Sequence, residues 1–126
     1  MNAKDLMLGD WIRTVAGIIQ VSLIAEKMVY CSVPTGHKSW EITMIEPIPL
    51  TAEILEKNGF EYEENVGYVY DDQMGVMVAY STFIRRLRII KDLNILYDSQ
   101  DFADIYVHTL QHALRLCGID KEIVLP

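Results

Sequence analysis

The stretch that decides the reading of this chain is IEPIPLTAEILEKNGF, Ile45 to Phe60. Pro47 and Pro49 stand one residue apart, and each removes a backbone donor and fixes φ, so neither a central strand nor a helix interior can hold both. The segment is therefore expected as an extended, stiff connector between two different kinds of structure. Thr51 follows it as a helix N-cap, Glu53 sets negative charge in the first turn, and Ile54 and Leu55 supply a buried face. Asn58-Gly59 then predicts a left-handed helix stop, with Phe60 folding back as its hydrophobic contact.

Before the connector the sequence reads as short strands broken by turns. Gly9-Asp10 leads into Trp11-Ile12-Arg13, and Ala16-Gly17 turns into a β-branched run from Ile18 to Ile24. Met28 to Val33 is a third run, Pro34-Thr35-Gly36 a turn, and Lys38 to Ile42 alternates as a half-buried strand should. Short strands with such tight connections predict a small SH3-like β-barrel over residues 1–47, with Trp11 and Trp40 partly buried in it.

After the connector, residues 48–126 predict an α+β unit of one helix, antiparallel strands and a C-terminal helix. Tyr68-Val69-Tyr70 and Val76 to Tyr80 flank a five-residue loop containing Gly75, a hairpin signal. Phe83 to Ile90 reads as a further strand, Ile95 to Tyr97 as another, and Glu122 to Leu125 as a closing one. Ala103, Val107, Leu110, Leu114 and Cys117 recur at helical spacing within about 80° of arc, and Gly118 stops that helix. The fold class is thus α+β, and 126 residues fit one cooperative unit.

The composition excludes several function classes. Apolar residues make up 51% and charged residues 23%, a globular balance far from that of disordered chains. The net charge is −7, and residues 51–126 carry seven basic and thirteen acidic groups of the total. A chain this acidic is a poor binder of nucleic acid in general and of anionic membrane surfaces. Cys31 and Cys117 form no zinc spacing and read as small buried hydrophobes of a reducing compartment. Val15 to Ala25 is too short to span a membrane and too polar for a signal core, so a cytoplasmic location is expected.

Two blocks, Ile45 to Phe60 and YVHTLQHALRLCGIDKEIVL from Tyr106 to Leu125, carry a resemblance. They are similar to a family of small uncharacterised proteins of Bacteroides-type bacteria, their phages and mobile elements, with IEPIPLT and YVHxLQ motifs. The second motif is here Tyr106, Val107, His108, Leu110 and Gln111. The resemblance implies a late start for the final helix, near Tyr106, with 102–105 extended. It implies no activity.

Chemistry-bearing constellations are sparse. His108 and His112 stand i, i+4, the spacing by which two imidazoles reach one metal, but both are expected opposite the apolar stripe, facing solvent. Asp71-Asp72 falls at a hairpin loop and Glu63-Glu64 before a strand, so neither pair defines an acid–base cleft. No nucleophile elbow and no phosphate loop occurs, and no cofactor is implied. Arg85, Arg86 and Arg88 are the one concentrated positive feature. Alternation would put Arg86 and Arg88 on one face of a strand and Arg85 on the other, either gripping an acidic or phosphate-bearing partner or balancing carboxylates such as Glu61 to Glu64 in the same sheet. The reading that follows is a non-enzymatic protein–protein interaction module. A small metal-dependent hydrolase using His108 and His112, or an acidic nucleic-acid mimic, is the alternative.

Overall fold

A computed structural model describes residues 5–25, 27–33 and 36–126, with Val33 described through its backbone. The protein is a mostly-β α+β fold of three antiparallel sheets, a short helix and a C-terminal helix. It divides into two compact units, Met1–Pro49 with Tyr106–His108 and Leu50–Ile105 with Thr109–Pro126.

In the first unit, β1 (Trp11–Thr14), β2 (Gly17–Gln20) and β6 (Glu46–Pro47) form one sheet in the order β2-β1-β6. A second holds β3 (Leu23–Ile24), β4 (Met28–Val33) and β5 (Gly36–Glu41) in sequence order, and a 3-10 turn at Ile42–Met44 follows β5. Leu6, Ile12, Val21, Val29, Ile42 and Ile45 form the core, with Ile19, Ile24 and Trp40 packed against it. Among the described residues the strands make two separate sheets rather than the expected closed barrel. The cause lies in the Ile18–Ile24 run, which is two strands. Val21 N–H donates to Asp10 O at 2.9 Å and Ser22 N–H to Tyr30 O at 2.8 Å, so the chain changes hydrogen-bonding partner there.

Two further expectations change in this unit. The Lys38–Ile42 alternation does not half-bury a strand: β5 is exposed apart from half-buried Trp40, and Ile42 is buried from the 3-10 turn. The proline segment is extended as expected, but it is paired rather than a free connector. Pro47 lies opposite Ile12 at the sheet edge, where its missing donor costs nothing, and Pro49 forms a bridge with Tyr106. The expected turn residues Pro34 and Thr35 lie outside the described residues.

The second unit opens with α1 (Ala52–Lys57), capped by Thr51 Oγ1, which accepts from Ile54 N–H. Gly59 takes φ +84 and Phe60 N–H returns to Leu55 O at 3.0 Å, the stop read from Asn58-Gly59. A five-stranded meander follows: β7 (Glu61–Glu63), β8 (Gly67–Asp71), β9 (Val76–Ser81), β10 (Arg86–Lys91) and β11 (Asn94–Asp98). Alternation sends Val78, Tyr80, Leu87 and Ile89 to one buried face, while Arg86 pairs with Ser81 and Arg88 with Ala79 on the other. The outer edges differ. On β7, Glu61, Tyr62 and Glu63 are all exposed; on β11, Ile95 and Leu96 are exposed, and Leu96 is an extra residue where the register shifts.

Three expectations are corrected here. The strand proposed from Phe83 begins only at Arg86, because residues 82–85 form a turn in which Arg85 has φ +48. Glu122 to Leu125 is not a strand. The buried Asn58 amide stands in for a neighbouring strand, donating to Val124 O and accepting from Val124 N–H at 2.8 Å each. The final helix, α2 (Val107–Leu116), excludes Ala103 and leaves Cys117 half-buried beyond its end. Val107, Leu110 and Leu114 are buried as the stripe requires, but so is His108, which was expected to face solvent, and Gln111 beside the stripe is buried too. The first turn belongs to the first unit, where Val107 N–H donates to Ile48 O, and the rest to the second, so no single stripe describes the burial. No described helix is long and apolar enough to cross a membrane.

Two substitutions test this packing by chemical denaturation. Leu114→Ala is expected to cost about 2–5 kcal/mol, from lost transfer energy and the cavity left behind. Asn58→Ala is expected to cost about 1–3 kcal/mol, because both backbone groups of Val124 lose their partner. An unchanged midpoint for either would contradict the corresponding contact.

Candidate functional site

The arginine-bearing end of the five-stranded sheet gathers the chemistry that the sequence left scattered. After β11 the chain forms a strap, residues 98–104, that runs back along β10 and the turn before it. Ser99 N–H donates to Leu87 O and Ser99 Oγ accepts from Leu87 N–H, both at 2.9 Å; Phe102 N–H donates to Ile84 O at 2.6 Å and Ala103 N–H to Arg85 O at 3.1 Å. Asp98 starts the strap with an Asx turn, its Oδ1 accepting from Gln100 N–H at 2.9 Å.

Arg86 fastens the strap. Its Nε donates to Asp98 Oδ1 at 2.9 Å and its Nη2 to Asp98 Oδ2, a two-pronged carboxylate grip, while Nη1 reaches Asp101 Oδ1 at 3.1 Å. Hydrogen bonds from Arg86, then from Gln100 N–H, hold the Asp98 carboxyl down at about 2. The same grip raises the Arg86 guanidinium, chiefly through its hydrogen bonds to Asp98. Arg85 stands apart in the turn and meets Asp104 at 3.5 Å, a largely exposed pair. The carboxylates that balance the arginines therefore come from the strap and not from Glu61–Glu64, since β9 and β8 separate β10 from β7.

Arg88 is different. Half-buried on β10, it has no carboxylate within ion-pair distance among the described residues. With Arg86 it lines a cleft of about 100 Å³ whose other walls are Ala79 and Ser81 of β9, Ile84 of the turn, and Asn65-Val66 between β7 and β8. Gly67 makes that wall possible. At φ +116 it brings the backbone so close to β9 that an added Cβ would collide with Tyr80 O. Asn65, left-handed at φ +67, and Ser81 are site residues that the sequence reading did not select; an Asn two positions before a glycine is a signal for Asn65, and none marks Ser81.

The other candidates resolve into structural roles or stay apart. Asp71 Oδ1 accepts from Gln73 N–H, and Asp72 Oδ1 from Met74 and Val76 N–H, so both acids shape the hairpin loop. His108 is buried and stacks on Tyr106 at 5.8 Å between ring centroids, whereas His112 is half-exposed. Among the described residues no group of three or more His, Cys, Asp or Glu is placed to hold a metal ion. Burial raises the Cys117 thiol above its ordinary value, away from nucleophilic use. In the first unit, a broad groove of about 610 Å³ runs past Trp11, Ile18, Gln20 and Cys31, with no ionisable cluster in its lining.

The Arg86–Asp98 pair gives a pH test with a defined sign. Because the folded carboxyl titrates lower than the unfolded one, at about 3.9, the pair's contribution is complete above that value and is lost as pH falls through about 2. The melting temperature of the parent should therefore exceed that of Asp98→Asn at pH near 6, and the gap should close between about pH 4 and pH 2. A gap independent of pH would show that the ion pair does not act on stability.

Comparison of the chain with family models, curated proteins and solved structures finds no match, so the site is read from its own geometry.

Proposed function

We propose that this chain is a non-enzymatic protein-interaction module of a phage or mobile element, built from two small sheets with an SH3-like connectivity, an open form of the small barrel, and an α+β unit that presents an aromatic contact surface. The connectivity of the first unit supports the SH3-like reading. One bent segment, Gly17 to Ile24, serves both sheets through β2 and β3, and the 3-10 turn at Ile42–Met44 returns the chain from β5 to β6 beside β1. The phage or mobile-element context rests on the resemblance at Ile45–Phe60 and Tyr106–Leu125.

Phe102 carries the interaction reading. It is 63% exposed and its backbone is left-handed at φ +57, a conformation that is unfavourable for a bulky side chain. Phe83, 91% exposed, lies on the neighbouring turn, to which the strap is bonded through Phe102 N–H and Ile84 O. Neither packing nor backbone preference accounts for an aromatic ring in such a place, and strain of this kind concentrates at sites of function. The exposed Arg85–Asp104 pair joins the same turn to the same strap and adds polar groups to this surface, the composition of a contact patch.

The test uses a substitution that ought to help the fold. Phe102→Gly is expected to raise stability by up to about 1 kcal/mol, because glycine accepts the left-handed backbone freely. The same variant, and Phe83→Ser, should lose proteins that the parent captures from its native host cells. Capture profiles identical to the parent's would falsify the aromatic surface as the contact.

A further inference from the structure

We infer that the cleft between β9 and β10 is a binding site for a small tetrahedral oxyanion, a phosphate or a phosphomonoester group. The inference goes beyond the aromatic surface and does not depend on it, since neither Phe83 nor Phe102 lines the cleft.

The argument begins with the donors left over. Arg86 uses three of its five N–H groups on Asp98 and Asp101, which leaves one on each terminal nitrogen. Among the described residues the Arg88 guanidinium is engaged by no hydrogen bond or ion pair, so all five of its N–H groups remain. Ser81 Oγ accepts from Ile84 N–H at 3.4 Å and keeps its own proton to give. Asn65 adds a side-chain amide on the facing wall. Asp98 lies opposite Arg88 in the register with β11 and feels its charge, but it is turned to the grip of Arg86, and no carboxylate is among the residues that line the cleft. A lining that offers donors and cationic charge, in a protein otherwise rich in acids, selects an anion.

Shape narrows the class. The donors come from two adjacent strands and from a turn, around a space of about 100 Å³. A planar carboxylate accepts in one plane, whereas a phosphoryl group presents three oxygens in different directions and matches a lining spread over several walls. The grip of Arg86 on Asp98 and Asp101 also fixes its side chain before any ligand arrives, so little freedom remains to be lost there. Arg88 is then the residue on which affinity turns.

The experiment is a titration of the full chain, in phosphate-free buffer at constant ionic strength, followed by amide chemical shifts. Inorganic phosphate and O-phosphoserine are the probes, with sodium acetate and sodium chloride as controls. Saturable shifts confined to Asn65–Gly67, Ser81 and Arg86–Arg88 are expected with both phosphate probes and not with the controls. Tighter binding of O-phosphoserine assigns the site to an esterified phosphoryl group, and tighter binding of inorganic phosphate to the free anion. Arg88→Gln should weaken binding by about tenfold or more, and Ser81→Ala by a smaller factor, with the spectrum elsewhere unchanged. An equal response to acetate, no saturable response, or undiminished affinity in Arg88→Gln would overturn the inference. Loss of this binding in a protein that still captures partners through Phe83 and Phe102 would leave the interaction reading standing, and the converse result would separate the two in the other direction.

Discussion

Arg86 lies on β10, and its guanidinium holds the carboxylate of Asp98 at the end of β11 and that of Asp101 in the strap that follows. Much of the second unit's candidate surface depends on that hold. A strap of seven residues with left-handed backbone at Gln100 and Phe102 has little tendency of its own to stay in one place. Asp98 and Asp101 give it two fixed points, and the hydrogen bonds from Ser99, Phe102 and Ala103 complete the docking. With the strap seated, Asp104 is within reach of Arg85, and the charge of Arg86 is matched by the carboxylates that it holds. Arg88, the arginine farther along the strand, feels Asp98 across the sheet but has no carboxylate within ion-pair distance among the described residues, and it lines the cleft.

The first unit is organised by a different constraint. Its short strands pair only if the chain changes partner at Val21-Ser22 and comes back to β1 after the 3-10 turn. The buried Asp10 helps to set that geometry, its carboxylate accepting from Met7 N–H at 2.8 Å and its carbonyl from Val21 N–H. A polar side chain buried in so small a unit is tolerable because it is hydrogen-bonded to the backbone that it organises.

What could be read in the sequence was local. The Thr51 cap, the Asn58-Gly59 stop and the hairpin around Gly75 each depend on residues within a few positions of one another, and the structure contains all three. The features that escaped depend on distant partners. β7 has no apolar alternation and is a strand only because β8 pairs with it. The burial of His108 is set by the surroundings of one helical turn rather than by the periodicity of the helix. Glu122–Leu125 has the composition of a strand, but the amide of Asn58, far away in sequence, takes the place of a strand neighbour. The three arginines were legible as a cluster; that Arg86 would grip Asp98 and Asp101 while Arg88 lined a cleft was not, since those carboxylates stand twelve and fifteen positions away in sequence.

The two borders of the five-stranded sheet are guarded by different means. Glu61 and Glu63 put like charge along β7, which discourages a second strand from settling there. β11 has exposed Ile95 and Leu96 instead, and what interrupts its outer hydrogen-bonding row is the extra residue at Leu96. Electrostatic repulsion fades with ionic strength, whereas a misfit in register does not. Salt therefore loosens the guard on one side of this sheet and leaves the other as it was, so crowding between molecules in concentrated brine would begin at the acidic margin, the one that looks better protected in dilute buffer.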